Sequence, residues 1–535
     1  MNERRVIGPP GTGKTHFLTQ VLAYEAKEHG HQRVVACSLT HAAANELAGR
    51  HVPIPDSNIG TLHSFAYRAL GHPQVVEDDK HIAAYNTTVP AALQLSVSRS
   101  SKAAFDLDAP AGSSEGDKRC AAYQLYRARM TPRELWPQDV RAFADAWERY
   151  KADVDGVDFT DMLELCLQSV PSHPMAPDVI VADEMQDFSR LGMSLLWRWG
   201  QQCDEIVTAG DTDQAIYGFA GADPQVFRDR APLKQKVLEQ SYRVPQAVHE
   251  TAVQWIGQNT DRDPVAYRPR DYPGSVRHSP ITWNDPYRLL GELDTHLASG
   301  KTVMLLTTCA YMLRDIITML RDRGLPYHNP YRPSEGAWNP LAVRTHQTTA
   351  AMRVLHYLRP FRPDGDPEDP DLWTEEELTY WLEMTAKLRG RGVKPPEGDP
   401  TREVDVLELM RLIPDGEAQE ALLTGGAVGL QTLRRYLATK WQRSAGYAID
   451  VALSGGVAAL EGDPAVVVGS VHSVKGGEAD VVYLWPDLSY AGWLEWQTAA
   501  GRNSIRRVMY VGMTRAREEL VLCAPATTMA VGWYE

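Results

Sequence analysis

At 535 residues the chain is long enough for three or four domains, and with 43% hydrophobic and 23% charged residues it has the composition of a globular protein. Lys and Arg number 55 against 69 Asp and Glu, a formal net charge of −14, which excludes a broad basic coat for nucleic acid but leaves room for a local basic, aromatic-lined cleft. There is no apolar run of about 18 residues and no apolar leader stretch, and the six cysteines lack any C-x-x-C pair; a cytoplasmic protein with reduced, packed thiols, no membrane partner and no zinc or iron–sulfur site is expected.

The first element is a short apolar strand at Val6-Ile7, which runs into Gly8-Pro9-Pro10-Gly11-Thr12-Gly13-Lys14-Thr15. This string fits G-x-x-x-x-G-K-[ST], in which backbone N–H groups cradle phosphates, the lysine offsets β/γ charge and the hydroxyl binds Mg²⁺. His16 to Lys27 reads as a helix whose positive N-terminal end faces the same anion. Val34 to Ser38 reads as a buried strand and Thr40 to Arg50 as a helix, the alternation of a parallel α/β sheet. From about residue 67 the pattern changes: Ser96 to Ser101 and Ala109 to Gly116 read as loops, Tyr123 to Arg129 and Arg141 to Tyr150 as amphipathic helices, together a helical insertion.

Buried strands return at Asp178 to Ala182 and Glu205 to Ala209. A second sheet-like region starts near Ser241, with a strand at Thr302 to Leu306 and a helix at Tyr311 to Arg323. Between about 336 and 463 proline- and glycine-rich stretches (Pro360 to Pro370, Gly390 to Pro400) break up helices expected at Thr374 to Arg389, Thr401 to Leu412 and Leu430 to Gln442. Strands at Ala465 to Gly469 and Asp480 to Leu484, a helix at Arg506 to Arg517 and a strand at Leu520 to Cys523 complete the second core. Trp493 and Trp496, spaced i, i+3, read as a packing pair.

A phosphate loop needs a carboxylate at a neighbouring strand end to hold Mg²⁺. Val179-Ile180-Val181-Ala182-Asp183-Glu184 supplies it, with Asp183 as metal ligand beside Thr15 and Glu184 as the base that polarises the attacking water. Tyr217 and Phe219 are two apart, so on an extended segment they would share one side and offer flat faces to bases.

Asp183-Glu184-Met185-Gln186-Asp187 is similar to the D-E-x-Q-D box of the UvrD/Rep/PcrA-like branch of superfamily 1 DNA helicases. Further boxes resemble that branch in order: Ser38 to Leu47, Gly60 to Leu70, Gly210 to Asp223, Leu238 to Pro245, Gly469 to Leu484 and Val508 to Leu522. The resemblance implies an α/β fold of two RecA-like parallel-sheet P-loop domains, each interrupted by a mainly helical accessory insert. The first would comprise 1–66 and 157–240 with insert 67–156, the second 241–335 and 464–535 with a shortened insert 336–463. It implies an ATP- and Mg²⁺-dependent DNA helicase or single-strand translocase of 3′-to-5′ polarity, monomeric in solution, acting on single-stranded DNA and its junctions with duplex and open to repair or replication partners.

Residue by residue, the resemblance implies Arg243 and Arg515 as arginine fingers and Gln214 as a γ-phosphate sensor. Tyr242 would stack on adenine and Glu478 would hold the ribose hydroxyl. Thr40, His63 and His472 match positions near the DNA backbone, Phe219 a base-stacking position, and Leu62 a place where relatives carry a base-contacting phenylalanine. Arg517 has no match and reads as a surface residue. His16 stands where relatives often have an arginine packed on the base, and Met1 to Arg5 leaves no room for an upstream adenine-reading helix, so relaxed nucleotide selectivity is expected. Rival readings are a 5′-to-3′ RecD-like motor, disfavoured by Gln214 to Tyr217 and Gly221 to Asp223, a helicase–nuclease fusion, disfavoured by the end at Glu535, and a DNA-dependent ATPase or partner-loading switch with little unwinding.

Overall fold

The structure, a computed structural model, describes residues 2–39, 49, 52–97, 114–262, 264–342, 348–361, 373–385, 388, 400–404, 409, 412, 413 and 415–533. Among them, two six-stranded sheets organise the chain. The first has the order β3-β2-β6-β7-β1-β8, formed by β1 (Asn2–Ile7), β2 (Val34–Ser38), β3 (Ile59–Thr61), β6 (Val179–Ala182), β7 (Glu205–Gly210) and β8 (Lys234–Val237). Every pairing is parallel, with Val6 opposite Ala209 and Val181 opposite Val207. Alternation sends Val179, Val181 and Val207 under the helix Lys14–His29, and Ile180, Ala182 and Ile206 into a separate core with Phe65, Leu196 and Trp199. Burial of both faces is why these strands read as continuous apolar runs.

The second sheet, also all parallel, has the order β11-β16-β15-β12-β14-β13: β11 (Ser275–Ser279), β12 (Val303–Thr307), β13 (Tyr327–His328), β14 (Val466–Ser470), β15 (Ala479–Leu484) and β16 (Ala516–Cys523). The chain passes from the first sheet to the second through β9 (Gln240–Pro245), which pairs with β10 (Arg268–Arg270). A two-stranded pair, β4 (Gln74–Val75) with β5 (Gly156–Val157), stands where the chain leaves and rejoins the first sheet's region. In a parallel sheet all carboxyl ends lie on one edge, so the loops after β1, β6 and β7, carried on neighbouring strands, are brought side by side.

Between β4 and β5 the helices Asp79–Asn86, Glu115–Ala128 and Gln138–Asp153 enclose a core of Tyr85, Tyr123, Phe143 and Trp147. They are fastened to the helix Phe159–Ser169 by a buried ionic network. Asp158, fully buried, accepts from Arg127 Nη1 (3.0 Å), Lys151 Nζ (2.7 Å) and Trp147 Nε1 (3.1 Å), while Arg127 also pairs with Asp161 and Glu164. The helices Ala350–Leu358, Glu375–Met384, Gly416–Thr424, Gly426–Tyr436 and Ser444–Gly455 follow the second sheet's first half. Tyr357 and Trp381 of these helices, with Trp373 just ahead of the second, belong to the same core as Leu305 and Tyr483 of the sheet and Trp485 just after β15. No helix among the described residues is long and apolar enough to cross a membrane.

Several boundaries differ from expectation. The helix expected at Arg506 to Arg517 runs instead over Ala499–Met513, capped by the Thr498 side chain, and β16 already begins at Ala516. Gly116, expected in a loop, lies in the first turn of Glu115–Ala128, because Ser114 and Asp117 form a reciprocal capping box there. Thr374 caps a helix that stops at Met384, and Thr401 to Glu403 are not helical, since Glu403 bridges back to Thr374. Thr40 to Arg50 apart from Gly49, most of the loops expected at 96–113, and most of Thr401 to Leu412 lie outside the described residues.

Candidate functional site

The loop after β1 turns tightly through Gly11 (φ 72°) and Gly13 (φ 76°), conformations open to glycine, and delivers Lys14 at the start of the helix Lys14–His29. Thr12 Oγ1 donates to the Pro9 carbonyl (2.8 Å), which shapes the loop, and Thr15 sits half-buried in the first helical turn. Lys14 is only 9% exposed, and its Nζ lies 2.8 Å from Glu184 Oε1. Burial opposes its charge, but Glu184, Asp183 and Asp211 outweigh that and hold it above the ordinary lysine value. His16 is exposed and paired with Gln20 (3.2 Å).

Asp183 and Glu184 follow β6 on a strand two places from β1. Glu184 adopts a left-handed backbone (φ 55°), a strained conformation for a residue with a side chain, fixed by its N–H donating to Asp183 Oδ1 (2.8 Å). Burial works against ionisation of Glu184, yet Lys14 and Lys475 together draw its carboxyl down to about 2. From the strand between them, Asp211 receives an amide of Gln214 (Nε2 to Oδ2, 2.7 Å), and its own N–H donates to Gln186 Oε1 (3.0 Å). Burial, with Asp213 nearby, pushes Asp211 up to about 7.

The opposite wall comes from β9 and the second sheet. Arg243 Nη1 (3.3 Å) and Arg515 Nη1 (3.1 Å) donate to one carbonyl, that of Gly477, so two guanidinium groups stand side by side. Arg515 also donates to the Val511 carbonyl (2.9 Å) and reaches Gln214 Oε1 (3.5 Å) on the first-sheet side. Burial, with Arg243 alongside, pulls Arg515 down to about 9, and the Arg243 Nε is buried without a hydrogen-bond partner. The buried Lys14 and Arg515 and the partly buried Arg243, on facing walls, fit a polyphosphate, and the oxygen donors Thr15 and Asp183 fit a hard Mg²⁺ ion. Tyr242 is 72% exposed, its ring about 3.9 Å from where a side chain on Gly13 would begin, so it lies free beside the loop as a stacking face. Glu478 sits near Arg243 (3.7 Å) and Arg517 (3.3 Å); Arg517, expected at the surface, is half-buried and also pairs with Asp480.

Lys475, within the stretch Gly469 to Leu484, carries no local sequence signal of its role. Its ammonium crosses the cleft to Asp187, to the Gln214 carbonyl (2.9 Å) and toward Glu184 Oε2 (3.7 Å). Burial, opposed by Lys475 and reinforced by Glu184, holds Asp187 up at about 6. The same ammonium stands 5.1 Å from the Tyr217 ring centre.

Tyr217, Phe219 and His472 form one aromatic cluster: Tyr217 to Phe219 is 6.1 Å, Tyr217 to His472 6.2 Å and Phe219 to His472 5.8 Å between centroids. Residues 218–220 are a 3₁₀ turn ended by Gly221 (φ 93°), not the extended segment expected; the turn, not strand alternation, brings the rings together. Phe219 is 45% exposed. Burial pulls His472 down to about 4, so at neutral pH its ring is uncharged. His63 stands at the start of the helix Leu62–Ala69, edge-on to Phe159 (6.0 Å). Leu62 is buried against Gly192 in the first core and offers no face to a base. Trp496 is buried beneath Arg506, and Trp493 packs on the same core, as a packing pair should. Thr40 lies outside the described residues.

Two family profiles match the chain: the UvrD/REP helicase N-terminal domain over residues 2–233 and the UvrD-like helicase C-terminal domain over 465–523. Among curated proteins it is 25% identical over 571 residues to an ATP-dependent DNA helicase UvrD2 of Mycobacterium tuberculosis, covering 97% of the chain and 76% of that protein. It is also 25% identical over 292 residues to an ATP-dependent DNA helicase PcrA of Leuconostoc citreum, covering 48% of the chain and 38% of that protein. A match to the ATP-dependent DNA helicase srs2 of Schizosaccharomyces pombe, 25% identical over 302 residues, covers 48% of the chain and 33% of that protein. The matches therefore span about a third of the length of two of these relatives.

Proposed function

The chain belongs to the UvrD/Rep family of DNA helicases, and on that premise we propose that it is an ATP-driven 3′-to-5′ translocase on single-stranded DNA that opens duplexes at single-strand junctions. The observation that carries this reading is the set of cations on opposite walls of one cleft, Lys14 beside Glu184 and Arg243 beside Arg515. Hydrolysis is then tied to closure of the cleft, because phosphoryl transfer is catalysed chiefly by stabilising charge on the phosphoryl oxygens. The loop Gly8 to Thr15 holds the phosphates of ATP, and Tyr242 and Glu478 take base and ribose. Thr15 and Asp183 would hold Mg²⁺, which would supply neutralisation of the phosphate charge.

Glu184 is a poor base while Lys14 and Lys475 hold its carboxyl near 2. Substrate phosphate gives those ammonium groups a competing anion; as they turn to it, Glu184 regains basicity and orients water for attack. Arg243 and Arg515 neutralise the charge that develops on the phosphoryl group. Gln214, placed between Asp211 and Arg515, reports the outcome to the adjoining aromatic cluster. Tyr217 and Phe219 then stack on bases while Thr40, His63 and His472 contact the backbone. Steady-state hydrolysis with and without single-stranded DNA tests the reading: DNA should stimulate turnover in the wild type, and Lys14→Ala should abolish it while the strand still binds. DNA-stimulated turnover that survives Lys14→Ala refutes the assignment.

A further inference from the structure

The outer side of the phosphate loop is held by three hydrogen bonds. Ser241 Oγ (2.9 Å) and Tyr267 Oη (3.0 Å) both donate to one acceptor, the carbonyl of Pro10. One residue on, the Tyr242 N–H donates to the Gly11 carbonyl (2.8 Å). The fit is close enough that a side chain on Gly11 would meet Arg243 Cβ at 2.6 Å and Ser241 Oγ at 2.7 Å. Ser241, Tyr242 and Arg243 lie on β9, the segment joining the two sheets, whereas Tyr267 enters from the next strand of that pair. It immediately precedes β10, and its ring packs on His249 (4.5 Å) while its carbonyl meets His249 Nε2 (3.1 Å).

Backbone N–H groups of such a loop point inward at phosphate, so carbonyls gripped from behind remain gripped when nucleotide is bound. Pro9 and Pro10 contribute no N–H, and the loop's outward hydrogen-bonding capacity at this point resides in the Pro10 and Gly11 carbonyls. We propose that Tyr267 is a positioning residue of the hydrolysis site: its hydroxyl, together with that of Ser241, clamps the Pro10 carbonyl and fixes the phosphate loop against the strand that carries Arg243. The clamp sets the distance between Lys14 on one wall and the finger on the other, and it acts on the transition state, where that distance matters most. This rests on the cleft being the site of ATP hydrolysis.

Tyr267→Phe keeps the ring and its contact with His249 and removes only the hydroxyl. In DNA-stimulated steady-state assays the variant should lose about three- to ten-fold in kcat, the worth of one hydrogen bond, with the KM for ATP within about twofold of wild type. Tyr267→Ala, which also loses the ring, should lose more in kcat. A tyrosine that merely filled space would leave kcat of the phenylalanine variant unchanged, and that result overturns the proposal. A rise in KM with kcat intact overturns it too, since the hydroxyl would then serve nucleotide binding. Lys14→Ala in the same assay separates the two claims: turnover there removes the cleft from hydrolysis, whereas a silent Lys14→Ala beside a wild-type Tyr267→Phe removes only the clamp.

Discussion

Arg515→Met separates chemistry from stability. The guanidinium is 1% exposed, and burial beside Arg243 pulls it from the ordinary arginine value down to about 9. That displacement corresponds to about 5 kcal/mol of unfavourable setting for the charge. Against it stand hydrogen bonds to Val511, Gly477 and, at 3.5 Å, Gln214, each worth about 1.5–3 kcal/mol for a charged donor. The two contributions are of the same size and opposite sign, and an apolar side chain of similar length fills the space, so the variant should be as stable as wild type without nucleotide. On the proposed reading the charge serves the phosphoryl group in transfer, so turnover should fall on the order of 10³-fold. Denaturant unfolding read beside DNA-stimulated ATP hydrolysis decides it. If Arg515→Met unfolds more than about 2 kcal/mol more easily and loses activity only in proportion, the guanidinium is a structural strut and the finger assignment fails.

Glu184→Gln should lower kcat by about 10²–10⁴-fold. It should also flatten acid unfolding. The wild-type carboxyl lies near 2 when folded against 4.5 otherwise, so its stabilisation is fully present above pH 4.5 and is lost as pH falls through 2, amounting to about 3 kcal/mol at most; melts of both proteins across that window measure it. Phe219→Ala should weaken single-strand binding by about 1–3 kcal/mol at fixed salt, followed by fluorescence anisotropy, with an unchanged Kd counting against a stacking role. Asp158→Ala removes the fully buried carboxylate that Arg127, Lys151 and the Trp147 N–H share, leaving Asp161 as the one carboxylate paired with both cations, and should destabilise the protein by up to about 3–5 kcal/mol in denaturant titration.

What was legible in the sequence follows from local chemistry. The buried strands at Val34 to Ser38, Val179 to Ala182 and Glu205 to Gly210 announce themselves because both faces of a parallel sheet are covered, and the glycine spacing around Lys14 because the turn needs left-handed backbone. Lys475 is not legible in the sequence because its partners Asp187 and Glu184 lie nearly three hundred residues away, a pairing that periodicity does not encode. Leu62 could be matched to a base-contacting position yet is buried, since its direction depends on the approach of Gly192. The second group of helices looked like a proline-broken accessory region. The burial of Trp373 and Trp381 with Trp485 just after β15, which makes them one core, is a tertiary fact with no local signature.

The most direct test of the central claim is strand displacement by the whole chain, with Mg²⁺ and ATP, on duplexes carrying either a 3′ or a 5′ single-stranded tail. The account predicts that the 3′-tailed duplex is opened, that the 5′-tailed one is not, and that Lys14→Ala opens neither. Opening of the 5′-tailed duplex alone, or of neither by the wild type, would contradict it.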